Sequence, residues 1–201
     1  TRVRLEVELA RAQARAGGLE EGLQHARRAL TEAGQGDEAP RDLVALAEEA
    51  VTAVLLEGGR HEEAEAFVAE RGITDPRIVA AVQDRQGTAL YNEGVDAYAA
   101  QDFGAAIERF SAVAEAPASS DERRARARRA VQRALEARGV QHLEAGRAPE
   151  ADADLALAAA LAAELQDPTA QARATLQRAQ MALDAGRSAR AADLGTQAAA
   201  A

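Results

Sequence analysis

The chain has 201 residues, 47% of them hydrophobic but only 2% aromatic, and a formal net charge of -9 from 24 basic and 33 acidic side chains. Cysteine is absent, which excludes disulfides, thiol chemistry and Cys-ligated zinc. The acidic total argues against general nucleic-acid binding and against adsorption to anionic membranes, and no apolar run is long enough to span a bilayer. The apolar weight falls on Ala, Leu and Val, and every basic side chain is Arg. Alanine is the strongest helix former, so the composition points to an all-α chain of closely packed helices.

The first predicted helix pair covers 2–16 and 19–33. A break follows at 33–40, marked by Gly34, Gly36, Asp37 and Pro40. The second pair is 41–57 with 60–71. Asp75-Pro76 then reads as an N-cap with proline in the first turn, opening a third pair at 77–100 and 103–115 that ends near Pro117. The fourth pair is 121–145 with 148–165, with Pro149 near the start of its second helix. Asp167-Pro168 repeats the cap signal and opens the fifth pair, 168–185 with 188–200. No proline falls inside a predicted helix. The pattern is already helical at Thr1 and runs out in Ala198–Ala201, which reads as a segment of a larger protein; no signal peptide is visible, and the expected location is cytoplasmic.

Five turn segments read alike, anchored on Gly17, Gly59, Gln101, Gly146 and Gly186. The intervals between them are 42, 42, 45 and 40 residues, a spacing that marks a repeat architecture. Glycine at such an anchor ends a helix because it lacks the Cβ that hinders a left-handed conformation. A small residue follows each anchor in the second helix, at Gly22, Ala64, Ala106, Ala151 and Ala191, and lets the two helices approach closely. The expectation is a single array over 1–201, with repeats at 1–36, 37–75, 76–118, 119–166 and 167–201.

The third unit carries the clearest motif, Leu90-Tyr91-Asn92-Glu93-Gly94 followed by Asp102-Phe103-Gly104-Ala105-Ala106-Ile107-Glu108-Arg109-Phe110. It resembles the tetratricopeptide (TPR) repeat, with Gly94, Ala106 and Phe110 at that family's first-helix glycine, second-helix alanine and second-helix aromatic. Gln101 stands where the turn glycine is usual. The fourth unit has Gly139, Gly146, Ala151 and Leu155 at the matching places; the others keep only the turn and the small residue. The period exceeds the 34 residues of the standard unit and is similar to the extended repeats of kinesin light chains and of MalT-like bacterial regulators. The resemblance implies a right-handed superhelix of antiparallel helix pairs and a role in holding another protein.

Little in the chain announces chemistry. His25, His61 and His142 fall in different repeats, and His61-Glu62-Glu63-Ala64-Glu65 lacks the second histidine of a zincin motif. They are read as packing or surface residues. Gly17-Gly18 and Gly58-Gly59 end helices with no strand before them, so they are not phosphate-binding loops. No nucleophile elbow is present, and the carboxylates are expected to face solvent and pair with nearby Arg. The chain is therefore read as a non-enzyme, with no cofactor, no metal and no catalytic residue. Phe67, Phe103 and Phe110 are read as packing residues.

The family's concave-face positions carry over to Arg4, Arg11 and Arg15 in the first unit and to Thr88, Tyr91, Asn92, Val95 and Tyr98 in the third. Arg133 and Glu136 follow in the fourth, then Arg173 and Gln177 in the fifth. Tyr91, Val95 and Tyr98 share one helix face, and include both tyrosines of the chain; packing between repeats and lining a groove are both open to them. Recurrent Arg along these positions favours an acidic or carboxylate-bearing protein segment as the ligand. Asn92 and Arg133 match two places of the carboxylate clamp of chaperone-binding TPR domains, but Glu49, Ala53 and Ala137 break it, so chaperone-tail binding is not expected. In Asp121–Arg129, Arg124 and Arg128 form one stripe and Arg126, Arg129 and Arg133 another. This reads as a solvated helix, with an acidic partner favoured over nucleic acid. A regulatory or self-assembly role within a larger signalling protein is the alternative function, which leaves self-association open.

Overall fold

The computed structural model describes residues 2–35, 40–117 and 119–201. Gly36 and Asp37, named above as part of the break, lie outside the described residues. Ten helices and no strand occur among the described residues: α1 (Arg2–Arg15), α2 (Leu19–Ala33), α3 (Arg41–Glu57), α4 (His61–Arg71), α5 (Pro76–Ala99), α6 (Phe103–Glu115), α7 (Asp121–Glu144), α8 (Ala148–Glu164), α9 (Pro168–Asp184) and α10 (Ser188–Ala199). The fold is all-α, as expected, and each helix begins and ends within one residue of its predicted bound. The chain forms two compact units, residues 1–86 and 87–201.

The reversal inside each pair has one construction. Gly17, Gly59, Gln101, Gly146 and Gly186 all take positive φ, between 61° and 86°. The N–H of the next residue then reaches back five positions: Gly18 donates to Gln13 at 2.9 Å, Arg60 to Leu55 at 2.9 Å, Asp102 to Ala97 at 2.9 Å, Arg147 to His142 at 2.8 Å and Arg187 to Ala182 at 2.7 Å. This is the Schellman closure, which satisfies the carbonyls a helix end leaves open. Gln101 adopts the conformation without glycine's freedom, and Asp102 compensates by accepting the Ala105 N–H at 3.0 Å and starting α6 at once. Gln166, φ 56°, closes α8 onto α9 the same way, with Asp167 donating to Ala162 at 2.9 Å and its side chain accepting from Ala170. Asp167-Pro168 marks the start of α9 in the sequence, but the left-handed residue before it carries no glycine to announce it.

In the first unit, α1, α2 and α3 pack on one another and α4 on α3. The core joins Val7, Leu23, Val51, Val54 and Leu55 to fully buried alanines at 10, 26, 29, 47 and 50. In the second unit each of α6 to α10 packs on the next, around small separate clusters. The small second-helix residues make this closeness feasible: Ala64, Ala106 and Ala151 have no exposed surface. Gly94 faces Phe110 and Gly139 faces Leu155, at equal spacing within their pairs; an added Cβ would lie 2.6 Å from the Phe110 ring and 2.9 Å from Leu155 Cγ.

Not every carboxylate faces solvent. Glu6 is 9% exposed and shares a 2.6 Å hydrogen bond with His25, which ties α1 to α2. An ionised carboxylate requires His25 Nδ1 to be the donor. Asp154 is 5% exposed and takes both forks of Arg138, at 2.7 and 2.8 Å, with His142 Nε2 at 3.5 Å. The expectation that the carboxylates lie on the solvated faces fails at these two, because each gains a donor from the neighbouring helix that offsets its burial.

Gly94→Ala and Gly139→Ala should each destabilise the chain by about 1–3 kcal/mol through overpacking. Gly195→Ala, a helical site with nothing within 4 Å of the new methyl, should stabilise it by about 0.5–1 kcal/mol. Urea unfolding of the three variants measures both signs. Acid should act through Glu6. The His25 hydrogen bond, helped by the positive charges of His25, Arg28 and Arg2 and opposed by burial, holds the Glu6 carboxyl below its ordinary 4.5. Folding favours the ionised form, so this stabilisation is complete above pH 4.5 and fades as pH falls through the lower folded value. Thermal melts in acid should show the native chain losing more stability than Glu6→Gln.

Candidate functional site

The second unit holds an open groove of about 470 Å³, lined by Tyr91, Val95, Tyr98, Phe110, Arg126, Arg129, Ala130 and Arg133. Its walls come from α5, α6 and α7, and local sequence sets each. Tyr91, Val95 and Tyr98 recur at intervals of four and three residues, so they stand on one face of α5. Asp102 caps α6, which carries Phe110 to the groove floor. Ser120 caps α7 by accepting the Arg123 N–H, and Asp121 and Glu122 in its first turn suit the positive end of the helix dipole. Arg126, Arg129, Ala130 and Arg133 then fall together on the groove side of α7.

The aromatic residues of the groove pack on one another in pairs. Tyr91 packs on Phe110 with ring centroids 5.1 Å apart, and Tyr98 meets Phe103 edge-on at 5.2 Å. Phe110 is 3% exposed, whereas Tyr98 is 39% and Val95 45% exposed. Each tyrosine lines the groove and packs on a phenylalanine of α6 within its own predicted repeat, and Tyr91 also packs across to α7 of the next. Phe110 is a packing residue that also forms the floor.

Arg126 lies over Tyr91, its Cζ 4.6 Å from the ring centroid. The guanidinium thereby gains a cation–π contact. Among the described residues, no carboxylate pairs with Arg126, Arg129 or Arg133 within 4 Å. In the other stripe of α7, Arg124 is half-buried and held by Asp121 at 3.0 Å, and Arg128 is exposed. Arg126, Arg129 and Arg133 are exposed, in keeping with a solvated helix, and the same stripe borders the partly apolar hollow. Its three-residue and four-residue spacing is visible in the sequence, but the partner wall on α5 and α6 is not.

The remaining sequence-chosen positions do not converge on this groove. Arg4, Arg11 and Arg15 belong to the first unit, where Arg11 is engaged by Glu8 at 3.3 Å and Glu49 at 3.2 Å. Thr88 and Asn92 are exposed on α5 outside the lining. Glu136 and Arg173 bind each other at 2.7 Å, so their charges are mutually neutralised. Arg173 and Gln177 border a second, shallow hollow with Pro168, Thr169, Ala172 and Leu176. Among the described residues, no three His, Asp or Glu side chains gather as a metal site, and no helix is long and apolar enough to cross a membrane.

No family model matches the chain, and no curated protein matches it. Solved structures do. The crystal structure of BtubC (BKLC) from P. vanneervenii is 17% identical, with 94% of this chain and 75% of that one covered at a TM-score of 0.35. A Podosopora anserina putative kinesin light chain with nearly identical TPR-like repeats is also 17% identical, covering 99% of this chain and 94% of its own at a TM-score of 0.31. A glutamine-to-methionine variant of that protein gives 17% identity, 99% and 93% coverage and a TM-score of 0.31.

The Arg126–Tyr91 contact should be measurable by a double-mutant cycle using Arg126→Met and Tyr91→Leu. A coupling of about 0.5–1 kcal/mol in urea unfolding is expected for a partly exposed cation–π pair. Additive single variants would mean that the guanidinium leaves the ring in solution.

Proposed function

We propose that this chain is a protein–protein interaction module whose groove between α5, α6 and α7 takes an acidic segment of another protein. The observation that carries this reading is the lining itself: two tyrosines each packed on a phenylalanine, an apolar floor and three arginines that pair with no carboxylate among the described residues. Tyr and Arg dominate the energetics of interfaces, because large rigid rings and forked cations gain most when water is displaced from them. The volume suits one or two side chains of a bound segment. An acidic ligand supplies the charge the groove lacks.

A second reading, self-assembly, is favoured by Leu176 and Leu183, which stand seven residues apart on one side of α9 and are 55% and 53% exposed. Sedimentation of the native chain against Leu176→Glu and Leu183→Glu decides it. A single monomeric species at every concentration removes it.

Fluorescence anisotropy with a library of short Asp- and Glu-rich peptides tests the groove. Arg129→Glu and Arg133→Glu should each weaken binding by about tenfold or more, and Tyr98→Ala should weaken it as well. Arg147→Glu, an exposed arginine away from the groove, should leave it within about twofold, and added salt should weaken every complex. Binding that is indifferent to Arg129, Arg133 and Tyr98 would remove the groove from the account.

A further inference from the structure

The distribution of ion pairs in the second unit is uneven. Arg109, Arg124, Arg138, Arg173, Arg178 and Arg190 each hold a carboxylate. Among the described residues, Arg126, Arg129 and Arg133 hold none, as is also true of Arg128, Arg147 and Arg187, but only the first three line one hollow together. Three like charges on one helix face repel one another. Arg126 also rests over the Tyr91 ring, which favours its position beside the other two.

Arg129 and Arg133 are one helical turn apart, about 6 Å along the axis. Two long forked side chains so placed reach the same small anion. The chemistry of that anion follows from counting oxygens and charge. A carboxylate offers one charge and two oxygens, which a single guanidinium satisfies face to face. A phosphomonoester offers about 1.5–2 negative charges and three oxygens, and it is shared naturally by two or three arginines. Beneath the arginines, Val95 and Phe110 present an apolar floor for the stem that carries the group.

We infer that the groove recognises a phosphorylated side chain on the partner's segment, so that modification of the partner turns docking on. This rests on the reading of the groove as a peptide site and sharpens its ligand. A nucleic acid fits less well, because a long polyanion would extend from three arginines over a surface of net negative charge.

The test uses the whole chain and short peptide libraries that are identical except at the central residue: phosphoserine, phosphotyrosine, serine, tyrosine or glutamate. One of the two phosphorylated libraries should bind at least about tenfold tighter than the glutamate library. Arg129→Gln and Arg133→Gln should each erase most of that preference while leaving the melting temperature near that of the native chain. Inorganic phosphate, at ionic strength matched with chloride, should raise the melting temperature of the native chain but not of the double variant. Equal binding of the glutamate and phosphorylated libraries, still lost in the Arg variants, overturns the phosphate preference and leaves the acidic-peptide groove standing. Absence of binding by every library, with no phosphate effect on melting, overturns both. Displacement of the phosphopeptide by ATP or by a short single-stranded oligonucleotide at lower concentration than by the peptide itself assigns the arginines to a nucleotide and also overturns the inference.

Discussion

A single left-handed residue ends the first helix of every pair, and the N–H after it bonds to a carbonyl five residues back. Much else in each pair depends on that closure. The chain reverses within two or three residues, so the second helix starts already beside the first. Five residues after each left-handed position comes the small residue at the crossing: Gly22, Ala64, Ala106, Ala151 or Ala191. At Gly22 an added Cβ would lie 2.9 Å from the Ala10 carbonyl oxygen, so backbone meets backbone there. The turn fixes the angle of entry, and the small residue sets how near the helices come.

Close approach explains why so few aromatics suffice. Alanine at a crossing leaves no void when the helices are near, and a row of buried alanines replaces the bulky side chains of an ordinary core. The third pair departs from this. Four of the chain's five Tyr and Phe residues, Tyr91, Tyr98, Phe103 and Phe110, gather there. Phe110 lies against the bare backbone at Gly94, and its ring edge supports Tyr91. The local volume that other pairs fill with Ala and Leu becomes an aromatic floor, and the adjoining helix α7 supplies the cations above it.

Charge divides along the same lines. Where a carboxylate is buried it is matched by donors from the next helix, as with Glu6 and His25 or Asp154 and Arg138. These pairs hold neighbouring helices in register. Asp152, clasped by Arg178 and Arg190, does the same for α8, α9 and α10. The groove arginines make no such pairs among the described residues; they line the hollow beside Tyr91, Val95 and Tyr98 instead.

The sequence by itself determined the helices to within a residue, the turns and the small crossing residues, because these depend on local chemistry: helix propensity, the missing Cβ of glycine, proline at a first turn and the 42-residue spacing. It also brought Tyr91, Val95, Tyr98 and Arg133 forward as candidates, through the concave-face positions that the family resemblance implies, and helical spacing put the first three on a common face. Only the tertiary structure decided which faces meet. Helical spacing separates Arg126 and Arg129 from Arg124 and Arg128 but does not say which stripe meets a neighbouring helix, and Glu136 gives no sign that it is neutralised by Arg173, thirty-seven residues away. Whether a charge is paired or free depends on a carboxylate from another helix lying within about 4 Å. Helical periodicity defines a side chain's direction on its own helix, but the distance to a neighbour is set by how the helices pack.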